Sequence, residues 1–221
     1  MDKNEIADIV RSVVGEYRGD ENEKYNNNNK KVSLNSFPVS VSNRHIHICK
    51  SDLECIFGKG YELKRMKELS QPGQFACEEK VIIVGPKGSI ENVRILGPER
   101  KETQVEISVT DTFKLGIPVF VRDSGDLSGT PGLTVCGPKG SVYIEKGAIV
   151  AKRHIHFSEN DAKKFNVKDK EKVNVLIEGE KGGIFSDVLV RVSNSYALDM
   201  HIDTDEGNAF GIGRNTKGQI S

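Results

Sequence analysis

Arg44-His45-Ile46-His47 returns as Arg153-His154-Ile155-His156, and these two tetrapeptides hold four of the five histidines in the 221-residue chain. On a β-strand, alternate side chains share a face, so each motif presents two imidazoles on one side and an isoleucine on the other. The Cα atoms of two such histidines lie about 6.5 Å apart, within reach of one metal ion at Zn–N distances of about 2.0–2.1 Å. A repeated strand of this kind predicts a duplicated β-unit and a pair of metal half-sites. A lone His-X-His is more often a surface pair or a satisfied pair; its recurrence in matched surroundings favours the metal.

The surroundings do match. After each motif comes a short helix start, Ser51 with Glu54 in the first copy and Ser158 with Asp161 in the second. Hairpins follow. Val81–Val84, Gly85-Pro86-Lys87-Gly88 and Ile90–Leu96 form one, and Leu133–Cys136, Gly137-Pro138-Lys139-Gly140 and Ser141–Ile144 repeat it. Val173–Ile177 and Ile184–Val192 flank a third turn at Gly179–Gly183. Each half then ends on a strand and a glycine. Val105-Glu106-Ile107-Ser108 precedes Gly116-Ile117, and Met200-His201-Ile202-Asp203 precedes Gly211-Ile212 at the same spacing. Glu106 and His201, the fifth histidine, therefore hold equivalent places. The expected fold is mainly β, two small barrels from an internal repeat with short capping helices.

Two triads result: His45, His47 and Glu106, and His154, His156 and His201. Three protein donors with an open position are how catalytic zinc is held, and Co²⁺, Mn²⁺ or Fe²⁺ also suit nitrogen and carboxylate donors. An open metal position calls for a polarisable substrate group. Lys67, Arg94, Arg100, Arg122 and Arg191 lie near the donor strands and favour an anion; Arg100 stands six residues before Glu106. No Walker loop, nucleophile elbow or dinucleotide fingerprint is present, and the Gly-Pro-Lys-Gly stretches read as hairpin turns rather than phosphate cradles.

Composition sets the bounds. Hydrophobic residues make up 36% and aromatics 6%, with no Trp, so the cores must be built from Val, Ile and Leu. Lys plus Arg equals Asp plus Glu at 32 each, which argues against general nucleic-acid binding. Cys49, Cys55, Cys77 and Cys136 show no paired spacing and no secretory signal, which points to a reducing cytoplasm without disulfides. No apolar run is long enough to span a membrane. Residues 1–18 carry Ile6, Ile9, Val10, Val13 and Val14 as one helical stripe, and residues 19–31 read as a flexible, Asn-rich linker. That stripe either docks on its own domain or a dimer mate, or serves as an address tag for another protein.

The paired Arg-His-Ile-His motifs, with Glu106 between them and His201 after, resemble the phosphate acyltransferases of the PduL type, the phosphate propanoyltransferases. The resemblance covers about residues 38–215. It includes Gln71-Pro72-Gly73-Gln74, Ile95-Leu96-Gly97-Pro98-Glu99-Arg100, Arg122-Asp123-Ser124-Gly125 and Gly207-Asn208-Ala209-Phe210-Gly211. It implies interleaved barrels, 32–43 plus 152–221 forming one and 44–151 the other, with two Zn²⁺ per chain between them. His45, His47 and Glu106 would hold the zinc that meets the coenzyme A sulfur, and His154, His156 and His201 the second. By similarity Arg100 binds phosphate, Ser42, Lys67, Arg94, Leu96 and Asn208 contact coenzyme A, and Phe113 stacks on its adenine. The implied reaction converts acyl-CoA and phosphate reversibly to acyl phosphate and CoA. The N-terminal helix resembles an encapsulation peptide for a bacterial microcompartment, so a shell or core protein is an implied partner, along with a homodimer or larger assembly. A zinc thioesterase and a non-catalytic, zinc-stabilised assembly module are the rival readings.

Overall fold

The computed structural model describes residues 36–221, so the helix expected over 1–18 and the linker over 19–31 lie outside the described residues. Asn35–Ser221 forms one compact unit. In chain order its elements are β1 (Ser36–Val41), β2 (His45–His47), α1 (Lys50–Phe57), β3 (Arg65–Glu68), β4 (Phe75–Val84), β5 (Ser89–Gly97), β6 (Gln104–Glu106), α2 (Val109–Leu115), β7 (Val121–Arg122) and β8 (Leu133–Cys136). Then follow β9 (Ser141–Ile144), β10 (Ala148–Ala151), β11 (His154–Phe157), α3 (Glu159–Phe165), β12 (Lys172–Ile177), β13 (Gly183–Val192), β14 (Asp199–Ile202), α4 (Thr204–Ala209) and β15 (Lys217–Ile220).

Two sheets result. β1, β14, β11, β13, β12 and β15 close into a six-stranded barrel. β7, β10, β6, β2, β5, β4, β8 and β9, with β3 on the flank of β4, form a nine-stranded sheet. Alternation drives both. In β12, Val173, Val175 and Ile177 are buried while Lys172 and Asn174 face water, so one face supplies the barrel interior. Each sheet has a core of its own. Ile46, Ile83, Ile95, Val105 and Leu133 belong to one, and Phe37, Ile155, Val175, Val190 and Met200 to the other. Phe37 and Val39 precede the first His motif, yet they pack in the core of the second. The chain thus weaves between the two sheets.

The hairpin turns fall where the sequence places them. In two of them the lysine amide is occupied: Lys87 N donates to the carbonyl of Leu115 at the end of α2, and Lys139 N to that of Ile56 in α1, both at 3.0 Å. These turns cap helix ends rather than cradle a phosphate. Gly137 is required there, because a Cβ would come within 2.7 Å of the Ile56 carbonyl oxygen.

Helix starts follow expectation in part. Ser158 caps α3, its Oγ accepting from Asp161 N at 3.1 Å. Ser51 does not cap α1. That helix begins at Lys50, with Cys49 as an N-cap that makes no side-chain bond. Thr103 Oγ1 accepts from Cys49 N at 3.1 Å and the Cys49 carbonyl accepts from Leu53 N at 3.0 Å. A tertiary contact from beside β6 therefore fixes the start two residues early.

Candidate metal centre

β2 lies between β5, to which it is parallel, and β6, to which it is antiparallel; β11 lies in the same way between β13 and β14. His45 stands opposite Glu106, and His154 opposite His201. The third donor thus comes from the equivalent place on an equivalent strand. Ile46 and Ile155, both 0% exposed, anchor the motifs to their cores, so the imidazoles turn away from them. The motif arginines repeat as well. Arg44 Nε meets Asp111 at 2.9 Å and Arg153 Nη1 meets Glu206 at 2.8 Å. Asp111 and Glu206 are the capping-box residues of α2 and α4, so each arginine ties its strand to the helix that follows the third donor.

The donor atoms of each triad all lie within 4.8 Å of one another. His45 Nδ1 lies 2.8 Å from the Asn43 carbonyl oxygen, and His154 Nδ1 2.7 Å from that of Lys152. A carbonyl only accepts, so each Nδ1 carries the proton and each Nε2 keeps a lone pair for the site. His45 Nε2 is 3.5 Å from Glu106 Oε2, and His154 Nε2 is 3.0 Å from His156 Nε2. His47 Nδ1 and His156 Nδ1 are buried without a partner. The Nε2 atoms are the ones that converge, and neutral imidazole lone pairs beside a carboxylate are the donor chemistry a borderline divalent cation satisfies.

Electrostatics separate the two triads. Burial lowers the basicity of three rings: His47 to about 3, with His45 adding repulsion; His154 to about 4; and His156 to about 2, with His154 and His201 adding to the effect. These rings stay neutral, the form that binds metal. For His45 the effect of burial is outweighed by Glu106, and its basicity rises above the ordinary value. Burial alone would raise Glu106, but His45, His47 and Ser124 hold it well below the usual carboxylate range. Attraction to Glu106 thus favours the charged form of His45 in the first triad, while burial disfavours the charged forms of His154 and His156 in the second.

Both triads line one cleft of about 870 Å³, together with Ser42, Lys67, Arg94, Leu96, Arg100 and Arg191. Arg94 is partly committed, donating from Nη1 to the Cys77 carbonyl at 2.7 Å. Burial lowers the basicity of Arg100; Glu106 opposes this and Arg191 adds to it. Phe113, 72% exposed on α2, and Asn208, exposed on α4, do not line the cleft. Several residues facing the site escape a reading of spacing alone. Gln104 and Ser124 bond Glu106, Asp199 meets His201, and the Tyr196 ring packs 4.4 Å from that of His156. Gln104 and Asp199 each precede a third donor by two residues and so share its face, but only strand register places them opposite His47 and His156.

The fold and the donor sets agree with comparison to known proteins. A family model described as phosphate propanoyltransferase matches residues 38–213. The chain belongs to this family. Its relatives include a phosphate propanoyltransferase of Thermotoga maritima, 60% identical over 172 residues that cover 77% of this chain and 82% of the relative. One from Leptotrichia buccalis is 45% identical over 220 residues, 100% of this chain and 99% of its own length. One from Clostridioides difficile is 50% identical over 182 residues, covering 82% and 87% respectively. Membership in the phosphate propanoyltransferase family makes this an acyltransferase chain. Among the described residues, no helix is long and apolar enough to cross a membrane.

Proposed function

We propose that the chain transfers a short acyl group, propanoyl or acetyl, reversibly between coenzyme A and inorganic phosphate, using two zinc ions per chain. The observation that carries this reading is the pair of register-equivalent triads opening on one cleft with Arg100. The donor sets fit zinc: imidazole and carboxylate, three apiece, with donor atoms that all lie within 4.8 Å of one another in each triad. His45, His47 and Glu106 would hold one ion and His154, His156 and His201 the other. When bound, zinc supplies Lewis acidity to stabilise a leaving thiolate and polarise a thioester carbonyl.

The rest is the work of the chain. Lys67, Arg94, Ser42 and Leu96 line the cleft where the coenzyme A arm would lie; Phe113 and Asn208, outside that lining, would meet coenzyme A beyond the cleft. Arg100 would hold phosphate in a guanidinium fork beside the carbonyl, so that proximity supplies much of the rate. A phosphate oxygen forms the new C–O bond, the C–S bond breaks, and CoA leaves as thiolate. Phosphate is itself a competent nucleophile, so transfer is direct, without an acylated residue. The cytoplasmic chain would act as a homodimer or larger assembly, with residues 1–18 addressing it to a shell or core protein of a microcompartment. Removing residues 1–20 should leave activity intact and abolish enclosure; a chain that no longer folds overturns that assignment.

The deciding experiment measures CoA release from propanoyl-CoA and acetyl-CoA with and without phosphate, before and after chelation. Phosphate-dependent release yielding acyl phosphate, lost on chelation, is expected. Release of free acid without phosphate would identify a thioesterase, and no release an assembly module.

A further inference from the structure

The two triads differ at one place. Where the first half has Glu106 the second has His201, so one donor set includes a carboxylate and the other does not. Two residues earlier the exchange is reversed. Gln104 stands opposite His47, and Asp199 stands opposite His156 at the equivalent position of β14. Each half therefore presents one carboxylate to the site, as a donor in the first and beside a donor in the second.

The hydrogen bonds follow the exchange. Gln104 Nε2 donates to Glu106 Oε1 at 2.5 Å, an amide donor behind an acceptor ligand. Asp199 Oδ2 lies 3.1 Å from His201 Nε2, a carboxylate acceptor behind a ring that can donate. Asp199 is 2% exposed; its Oδ2 also accepts from Ser40 Oγ at 2.9 Å, and its Oδ1 has no partner. Among the described residues no Lys or Arg pairs with it; its ion-pair contact is His201. A carboxylate buried in this way is costly unless positive charge lies within reach.

The geometry points to Asp199 as the positioning residue of the second half-site: it takes the Nε2 proton of His201, turns the Nδ1 lone pair to the cation, and supplies the negative charge that Glu106 supplies directly in the first. Asp199 orients rather than ligates, since its oxygens are not among the mutually close donor atoms. A carboxylate on a ligand's second nitrogen fixes the tautomer and raises ring basicity. The inference rests on the metal reading above and extends it to a residue no donor motif contains.

The test titrates the full chain, freed of metal, with zinc against a competing chelator. Zinc per chain is read by elemental analysis and folding by the melting temperature without metal. Wild type is expected to take two zinc ions. Asp199→Asn preserves shape, so its metal-free melting should match wild type; one ion should bind as before and the other about 10–100-fold more weakly. Glu106→Gln should weaken the opposite site. Two ions held by Asp199→Asn as tightly as by wild type overturn the inference and leave the metal reading standing. A wild-type chain that takes up no zinc overturns both. Should Asp199→Asn fail to fold, ring ¹⁵N spectra of zinc-loaded wild type decide. His201 is expected to carry its proton on Nε2, opposite to His45 and His154, and a proton on its Nδ1 overturns the assignment.

Discussion

The half ending in Glu106 and the half ending in His201 share strand order, register, an arginine bonded to a capping box and an arm of one cleft. They differ in charge. In the first triad His45 and Glu106 stabilise each other's charged forms; in the second, burial disfavours the charged forms of His154 and His156. A duplicated backbone thus fixes where three donors stand, while single side chains decide the charge each set carries.

Replacing the third donor should break the comparison most sharply. Glu106→Gln and His201→Gln should each reduce activity to background and remove one metal per chain, as expected when a ligand of a catalytic ion is lost. Glu106→Gln should also destabilise the metal-free chain, by about 3 kcal/mol, because it removes the carboxylate beside the buried His45, whereas an amide at position 201 can still donate to Asp199 and should cost less. Equal metal-free melting of the two variants would erase the distinction. Next in size, Arg100→Ala should lower turnover by about 10²–10³-fold and raise the phosphate KM more than the acyl-CoA KM. A rise confined to acyl-CoA would move Arg100 to the other substrate.

Acid should separate the halves. His154 and His156 have folded values of about 4 and about 2, below the unfolded value of about 6.5, so the unfolded chain binds more protons in that range. Their contribution to stability is present above about pH 6.5 and is lost as pH falls towards those values. His47, at about 3, acts in the same direction in the first half. His45, raised, contributes stability at low pH that is lost as pH rises through its folded value, and it offsets His47 in part. Glu106 loses its contribution only as pH falls through its low folded value. Hydrogen exchange of the metal-free chain, corrected for intrinsic rates, should therefore show β11 loosening more than β2 between pH 7 and pH 5. The smallest effect concerns the motif arginines. Arg153 is one-third exposed, so Arg153→Ala should cost about 1 kcal/mol or less in thermal unfolding. Arg44→Ala, whose partner Asp111 is buried, should cost more.

Much of this was legible in the sequence because the signals are local or periodic. Two copies of Arg-His-Ile-His, hairpins closed by Lys-Gly turns, and a third donor at matched spacing before Gly116 and Gly211 all survive without knowledge of the fold. Gln104 and Asp199 do not, because a polar residue two places from a donor acquires a role only through register. Ser51 misled for a similar reason, since the start of α1 is set by Thr103, 54 positions from Cys49 in sequence. The nine-stranded extent of the first-half sheet was equally hidden, since β7 is two residues long and β3 is exposed along its length.

The path of β1 also constrains the order in which the molecule can assemble. Its neighbours, β14 and β15, are supplied by the last two dozen residues, Val39 lying beside Met200 and Phe37 beside Gly218. All strands of the nine-stranded sheet lie between His45 and Ala151 and are complete long before that. On a ribosome the first of the described strands to emerge is the one that waits longest for partners, and a nascent chain whose Ala151 has just cleared the exit tunnel would hold a finished Glu106 half while Phe37 remained uncovered.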